Sequence, residues 1–262
     1  GAAVVFYENQ PPAIQEETAL LADKSSLASL RMPLPEEGRR MSDRVNAVAL
    51  FKEKGGDDFL IEGWVEGPCA EGADLRGINN LMLDFIEDPA FVEALFEFAL
   101  TLGLSFARAQ LEAGADSIGV GDAAASLIGP HLYESLVLPY EKRLVAGIQE
   151  MGGKVRLHIC GDTSQLVGAI GTLGCDIVDL DWMSPLKAAR VSMGDQQVLA
   201  GNGDPVRIFR NGNEETVRSY LCSCLADGSP RYILAAGCEL VRDTPEAHVR
   251  LFRQISEEQA GR

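Results

Sequence analysis

The sequence has little positive charge for its size, and this deficit limits the partners to expect. It contains 23 lysines and arginines against 39 aspartates and glutamates, which gives a formal net charge of −16. Such a surface repels phosphate backbones and anionic lipid headgroups. We therefore expect neither a nucleic acid nor a membrane as a partner.

Long hydrophobic runs and a secretion signal are also lacking. No apolar run approaches the roughly 20 residues that a membrane-spanning helix needs, and no signal-peptide pattern opens the chain. The six cysteines are scattered and do not form the dense framework of a small secreted domain. The expectation is a cytoplasmic protein whose thiols are free or bound to a metal.

The chain is long enough to bury one large core. It has 262 residues, of which 46% are hydrophobic. Length alone does not exclude two domains, but no shift in composition between Ala13 and Lys54 marks a separate one, and we expect a single domain over residues 1–262.

Strand-like runs alternate with helical patterns through most of the chain. Short apolar runs bounded by turn residues predict the strands, and apolar residues at spacings of three and four predict the helices. The predicted strands are Phe59–Val65, Ser117–Val120, a strand within Lys154–Thr163, Asp176–Asp181, Val198–Ala200 and Arg231–Ala236. The longer predicted helices are Asp88–Gly114, Pro130–Met151, Ser164–Leu173, Glu214–Ala226 and Pro245–Glu257.

This alternation predicts parallel βαβ units and an α/β fold. Polar residues gather after the strands, where a (β/α)8 barrel has its active site and a doubly wound sheet has its ligand cleft. About six strands can be counted in this way, fewer than the eight that a closed barrel needs. The pattern alone therefore favours an open sheet.

The segment Lys154–Thr163, KVRLHICGDT, carries the strongest chemical signal. Its alternation places Arg156, His158 and Cys160 on one side of a strand, with the last two near its C-terminal end. Imidazole and thiolate are the ligands that zinc favours most. Cys238 also follows a strand-like run and a glycine, so it is the best candidate for a third ligand.

Other polar residues have simpler structural interpretations. Asp122 in VGDAAAS either faces a substrate pocket or braces its loop. Cys222 and Cys224 lie in a predicted helix, where positions two apart diverge by about 200°, so a shared metal is not expected. His131 and His248 are expected on helix surfaces.

Several short motifs follow one another between Gly63 and Phe252. They are EGPCAEGADLRG, EAGADSIGVGDAAASLIGP, LPYEKRL, LHICGDT, LAGNGDP and AAGCELVRDTP. In this order they resemble the uroporphyrinogen decarboxylase superfamily, and more narrowly its corrinoid-dependent branch, typified by the methylcobalamin:coenzyme M methyltransferases. The resemblance implies a (β/α)8 TIM-barrel fold whose strands three to eight correspond to the strands found here. It therefore predicts an N-terminally incomplete barrel that lacks the first two strands.

The resemblance also implies a zinc site. The methyltransferase branch carries His-X-Cys on one strand and a cysteine after the last strand, which His158, Cys160 and Cys238 reproduce. In some relatives a carboxylate completes the zinc shell. Asp181 occupies the matching strand end, and Asp179 is the alternative. The decarboxylase branch uses no metal and has a histidine at the position of Cys238.

The implied activity moves a methyl group between a corrinoid and a thiol, or another methyl donor or acceptor. Coordination to Zn²⁺ removes the proton of a thiol whose ordinary pKa is about 8.5, which makes its sulfur nucleophilic at neutral pH. Asp181 and Asp122 are the candidate catalytic residues. The direction of methyl transfer stays open.

Two other functions are consistent with the sequence. One is a non-catalytic barrel remnant that binds zinc or a partner chain, and the other is a metal-free enzyme of the decarboxylase type. Metal analysis separates the metal-free enzyme from the other two functions. A methyl-transfer assay separates the enzyme from the remnant.

The expected partners of a methyltransferase are a corrinoid and a small substrate. Methylcobalamin or a corrinoid protein would approach the loops after Gly67, Asp122, Gly161 and Gly203 as a transient co-substrate. A small thiol or a methylated small molecule would exchange the methyl group with it. The gap left by two missing strands would be covered by Ala2–Gln10, by local disorder or by a second copy of the chain, which makes a homo-oligomer possible.

Overall fold

The protein is described from a computed structural model that covers residues 2–8, 12–15, 18–56 and 58–260. The chain divides into two compact units, Gly1–Val155 and Arg156–Arg262. Both units contain strands and helices of their own. The single domain over residues 1–262 stays a prediction.

Strands and helices alternate along the chain after a short N-terminal strand pair. The strands are β1 Val4–Val5, β2 Ala13–Ile14, β3 Glu62–Glu66, β4 Ser117–Gly121, β5 Lys154–Ile159, β6 Ile177–Leu180, β7 Val198–Gly203 and β8 Tyr232–Ala236. In the first unit β3 pairs with β4 in parallel. In the second unit β5, β6, β7 and β8 lie side by side, and all their pairings are parallel. These pairings confirm the predicted α/β class, with parallel strands β3 to β8.

Helices connect these strands. The α-helices are α1 Arg39–Gly55, α2 Pro68–Arg76, α3 Ile78–Glu87, α4 Pro89–Glu112, α5 Pro130–Leu132, α6 Leu138–Glu150, α7 Val167–Ile170, α8 Leu186–Met193, α9 Glu214–Gly228 and α10 Glu246–Ala260. Short 3-10 turns cover Lys24–Ser29 and Ala123–Leu127, and π-helical turns cover Tyr133–Val137 and Pro205–Arg210.

The elements predicted to begin at Phe59 and Ser164 are shorter in the structure than predicted. The strand predicted from Phe59 begins only at Glu62, where pairing with β4 starts, and the side chain of Phe59 is 70% exposed. The predicted helix Ser164–Leu173 is reduced to α7, because the side chain of Asp162 accepts a hydrogen bond from the Ser164 N–H and holds a turn instead.

The predicted helix Pro130–Met151 is interrupted by a π-helical turn. The turn covers Tyr133–Val137 and precedes α6, whose first turn contains Pro139. Proline has no N–H and clashes with the preceding turn of a regular α-helix. A π-helical turn accommodates that defect without ending the helix.

Helix α4 fits the predicted start and end. Asp88 caps it by accepting a hydrogen bond from the Phe91 N–H at 3.2 Å, and Pro89 follows in the first turn. Its length and composition would allow it to cross a membrane, so the expectation that no segment approaches this limit is wrong. Side chains such as Leu95 and Phe96 are fully buried in the protein, as in a core helix.

The N-terminal residues lie against the first unit. β1 and β2 form an antiparallel pair separate from the main strands. Ala2 lines a cavity of about 850 Å³ together with Trp64 and Glu66 of β3. Of the predicted cover Ala2–Gln10, the last two residues lie outside the described part of the chain.

Helices α9 and α10 close the second unit with an apolar cluster. Buried members of this cluster include Leu221 of α9 and Ile255 of α10, which pack with Phe209. Burial of these large apolar side chains away from water stabilises this end of the second unit.

A buried guanidinium group, that of Arg190, donates hydrogen bonds to loops of the second unit. Arg190 of α8 donates hydrogen bonds to the carbonyl oxygen of Gly228 at 2.6 and 2.9 Å. It also donates to the carbonyls of Gly194, Gln197 and Arg231 at 2.8, 2.7 and 3.1 Å. One side chain therefore donates to carbonyl groups in both the connection from α8 to β7 and the connection from α9 to β8.

We predict that Arg190→Met destabilises the protein by at least about 3 kcal/mol, because several carbonyl groups lose their only charged donor. Urea unfolding followed by circular dichroism measures the change. Lys187→Met on the exposed side of the same helix is the matched control and should stay within about 0.5 kcal/mol of the wild type. Equal unfolding midpoints for the two variants would contradict the assigned role.

Candidate metal centre

Four polar side chains converge at the strand ends of the second unit. His158 belongs to β5 and Cys160 follows it, Asp181 follows β6, and Cys238 follows β8. Their donor atoms all lie within 4.8 Å of one another. The structure therefore brings together all four residues that the sequence proposed as metal ligands.

The distance between the two sulfurs fits a tetrahedral zinc site. Nε2 of His158 lies 3.1 Å from Sγ of Cys160, and the sulfurs of Cys160 and Cys238 are 3.6 Å apart. Two sulfurs bound to one zinc at about 2.3 Å would be separated by about 3.8 Å in a tetrahedron. The donor set of one imidazole, two thiols and one carboxylate is also one that zinc accepts.

A glycine lets the loop after β8 approach the loop after β6. A Cβ atom on Gly237 would lie 2.3 Å from the backbone nitrogen of Trp182, closer than any real contact. The residues adjoining this contact are Cys238 on one loop and Asp181 on the other. The absence of a side chain at Gly237 therefore helps to place these two candidate ligands side by side.

Cys238 is the thiol that ionises first. Hydrogen bonds with Cys160 and His158 lower the pKa of Cys238 to about 4. The contact with Cys238, together with burial, raises the pKa of the Cys160 thiol, which keeps its proton. Burial lowers the pKa of His158, but Cys238 and the charge of Asp179 outweigh it and raise the pKa overall. Negative charge thus gathers where a cation would be bound.

Asp181 has a second role in its loop. Its Oδ2 accepts a hydrogen bond from the Gly161 N–H at 2.8 Å, and its Oδ1 accepts one from the Met183 N–H at 3.2 Å. These bonds connect the loop after β5 with the loop after β6. The carboxylate therefore has partners of its own whether or not it contacts a metal.

Asp179 lies behind the candidate ligands and not among them. It is opposite His158 in the β5–β6 pairing, and its side chain is buried. Its Oδ2 is 3.5 Å from Nδ1 of His158 and accepts hydrogen bonds from Arg156 at 2.7 and 3.1 Å. The structure thus places the alternative metal ligand on the far side of the imidazole.

Asp122, the other candidate catalytic residue, is wholly buried in the first unit. Its Oδ1 accepts a hydrogen bond from the Ala70 N–H at 2.6 Å, at the start of α2. Its carboxyl group also packs directly against Gly67. These contacts fit a brace for the loop after β3, while a catalytic role for Asp122 stays a prediction.

The carboxyl of Asp122 meets a second buried carboxyl, that of Glu141. Burial raises the pKa of Asp122 to about 6, and burial and the charge of Asp122 raise the pKa of Glu141 further. Oδ2 of Asp122 and Oε1 of Glu141 are buried and have no donor in the part of the chain that the structure describes. One proton retained by Glu141 supplies that donor, and Tyr133 donates to Glu141 from the other side.

The remaining histidines and two cysteines lie apart from the metal centre. His131 is exposed on its helix as expected. His248 was expected on a helix surface, and this is wrong: it is buried, and its Nδ1 lies 2.7 Å from the backbone oxygen of Phe209. Cys222 is exposed and Cys224 buried, so they lie on different faces of α9.

Two residues that contact buried carboxyl groups, Glu141 and Arg156, were not predicted from the sequence as functional residues. Glu141 in LPYEKRL looks like an exposed helix position, and no periodicity within the helix shows that it meets Asp122. For Arg156 the sequence did contain a signal, because the alternation of β5 puts it on the same side as His158. Its partner Asp179 could be recognised only once the register of β5 and β6 was known.

Comparison with known proteins identifies relatives over most of the chain. The sequence pattern of the family described as uroporphyrinogen decarboxylase (URO-D) matches residues 1–259. The methylcobamide:CoM methyltransferase MtbA of Methanosarcina mazei is 29% identical over 248 residues, which cover 93% of this chain and 70% of that protein. A uroporphyrinogen decarboxylase of Saccharopolyspora erythraea is 31% identical over 243 residues, covering 86% of this chain and 65% of that protein.

A solved structure shares the fold. A methyltransferase from Methanosarcina mazei superposes with a TM-score of 0.85, covering 99% of this chain and 76% of that one. The two sequences are 22% identical, so this likeness supports the fold alone. The family and the fold that the motifs predicted are both confirmed.

We predict that Glu141→Gln makes the free energy of unfolding less dependent on pH above about pH 6. Both acids have raised pKa values in the folded protein. Their stabilising contribution is therefore complete below the unfolded pKa values of about 4 and is lost as pH rises through the folded ones. Glutamine cannot ionise, so the variant avoids that loss at Glu141.

Urea unfolding at pH 5 and pH 8 measures this effect. Relative to the wild type, Glu141→Gln should gain about 1 kcal/mol or more between the two pH values. Glu134→Gln on an exposed site of the adjacent π-helical turn is the control and should show no such gain. Parallel pH profiles for wild type and Glu141→Gln would rule out the shared proton.

Proposed function

The chain belongs to the uroporphyrinogen decarboxylase family, and from this premise we propose that it is a zinc-dependent methyltransferase acting between a corrinoid and a thiol. The observation that carries the proposal is the convergence of His158, Cys160, Asp181 and Cys238 within 4.8 Å. A metal-free decarboxylation has no evident use for two thiols and an imidazole at one point. The relative named as a methylcobamide:CoM methyltransferase supports the same choice.

The side chains at this centre would have different roles. His158, Cys160 and Cys238 would hold the zinc ion and leave a fourth position, as catalytic zinc sites do. Zinc bound there would supply the positive charge that keeps a substrate thiol deprotonated at neutral pH. Asp181 would occupy the fourth position between turnovers, because its loop hydrogen bonds hold it close when the substrate is absent.

The reaction exchanges one bond for another. The substrate sulfur forms a bond to the methyl carbon while the cobalt–carbon bond of the corrinoid breaks, and the bonding electron pair stays on cobalt. The proton of the thiol would pass to solvent when the thiol binds as a thiolate. In the opposite direction a methylated donor gives its methyl group to the reduced corrinoid.

The corrinoid would be a transient co-substrate. It would be supplied as free methylcobalamin or on a corrinoid protein, and it would approach the centre from the loops after Gly161 and Gly203. The excess of acidic residues favours a partner with a basic contact surface. We propose that the protein works in the cytoplasm, where its cysteines stay reduced.

Metal-free decarboxylation is the second candidate function. It is favoured by relatives named uroporphyrinogen decarboxylase, one of which is 31% identical to this chain. Such an enzyme would retain its fold and activity after complete removal of zinc. The non-catalytic remnant would bind zinc without transferring a methyl group.

We predict that the purified protein binds about one zinc ion per chain and that Cys160→Ser and Cys238→Ser sharply lower this occupancy. Each change removes one thiolate ligand while leaving the strands that carry the centre. Elemental analysis after dialysis against a weak chelator measures the zinc content. Cys222→Ser, an exposed cysteine on α9, is the matched control and should keep full occupancy. Full occupancy in both test variants would exclude this centre as the zinc site.

Methyl transfer itself should depend on the same residues. Zinc-loaded protein mixed with methylcobalamin and small thiols should demethylate the corrinoid, which its visible spectrum reports. Cys160→Ser should reduce the rate by about 100-fold or more, because the metal and its charge are lost. If the wild type transfers no methyl group from methylcobalamin, nor to cob(I)alamin from methylated donors, the methyltransferase proposal has to be abandoned.

A further inference from the structure

The imidazole of His158 is fixed from behind by Asp179. Nδ1 of His158 lies 3.2 Å from the backbone oxygen of Asp179, an atom that can only accept a hydrogen bond. Nδ1 must therefore carry the proton in the neutral ring. The lone pair is left on Nε2, the nitrogen that lies 3.1 Å from the sulfur of Cys160.

The carboxylate of Asp179 adds charge to this arrangement. Its Oδ2 lies 3.5 Å from Nδ1 of His158, on the side of the ring away from the cysteines. The side chain is only 6% exposed, so its charge is little screened by water. Its other oxygen, Oδ1, is buried without a donor among residues 2–8, 12–15, 18–56 and 58–260.

Arg156 holds that carboxylate in place. It donates two hydrogen bonds, from Nε at 3.1 Å and from a terminal nitrogen at 2.7 Å, both to Oδ2 of Asp179. Arg156 and His158 lie on the same side of β5, two residues apart, and Asp179 is opposite His158 on β6. The strand register therefore builds a row of Arg156, Asp179 and His158 that ends at the candidate ligands.

We propose that Asp179, held by Arg156, is a positioning residue for the metal centre. It orients the imidazole of His158 so that Nε2 points at the metal, and its negative charge makes that nitrogen a better donor. A metal-bound histidine supported by a carboxylate in this manner binds its metal more tightly than one without it. The proposal rests on the proposed function, because it assumes that the four side chains bind zinc.

Asp179→Asn removes the charge and keeps the size of the side chain. We expect the dissociation constant for Zn²⁺, measured by competition with a chromophoric chelator, to rise about 10- to 100-fold. We also expect the ligand-field absorption bands of the Co²⁺-substituted protein to shift, because the imidazole changes its orientation and donor strength. The melting temperature of the metal-free protein shows whether the substitution disturbs the fold. If Asp179 had only a structural role, a variant with an unchanged melting temperature would keep both the wild-type zinc affinity and the wild-type Co²⁺ spectrum.

Asp162→Asn is the matched control. Asp162 lies on the loop that follows β5, is exposed, and hydrogen-bonds to Ser164. This variant should keep the wild-type zinc affinity and the wild-type Co²⁺ spectrum. Arg156→Gln provides a second test: it should weaken zinc binding several-fold, since Asp179 loses its anchor.

The outcomes distinguish a failure of the proposed metal centre from a failure of the role of Asp179. If the wild type binds no zinc, the proposed metal centre fails and the role of Asp179 fails with it. If the wild type binds zinc but Asp179→Asn matches it in affinity and spectrum, only the positioning role is overturned. If Asp179→Asn does not fold, an unchanged zinc affinity in Arg156→Gln overturns that role instead.

Discussion

The contact between Cys160 and Cys238 requires a strongly curved sheet. These residues follow β5 and β8, the first and last of four parallel neighbours in the second unit. In a flat sheet three steps of about 4.8 Å would separate the two strand ends by about 14 Å, whereas the sulfurs are 3.6 Å apart. The candidate metal centre therefore depends on the curvature that a barrel-type wall imposes on its strands.

Buried polar groups are compensated in three different ways in this protein. Arg190 donates hydrogen bonds to carbonyl groups in two connections between helices and strands. Asp179 is balanced by Arg156 and the histidine beside it, whereas Asp122 meets an acid that retains its proton. An unpaired buried charge costs several kcal/mol, so each arrangement determines which single substitutions the fold tolerates.

The donor set distinguishes the proposed function from its main alternative. Two thiols are soft ligands that bind zinc strongly, while the carboxylate of Asp181 is a harder ligand that already accepts two backbone hydrogen bonds. Asp181 is therefore the member of the set that an incoming substrate sulfur would displace most easily. The proposed centre would combine a stable attachment for zinc with one exchangeable position.

The sequence by itself determined the alternation of strands and helices, the family, and the side of β5 on which His158 and Cys160 lie, because these follow from local periodicity and short motifs. Only the tertiary structure decided which buried partners lie behind the candidate site residues. The register of β5 and β6 put Asp179 behind His158, and the packing of a helix against a strand end put Glu141 against Asp122. Such contacts join residues far apart in the chain, so no local pattern encodes them, and burial changes their ionisation only after they have met.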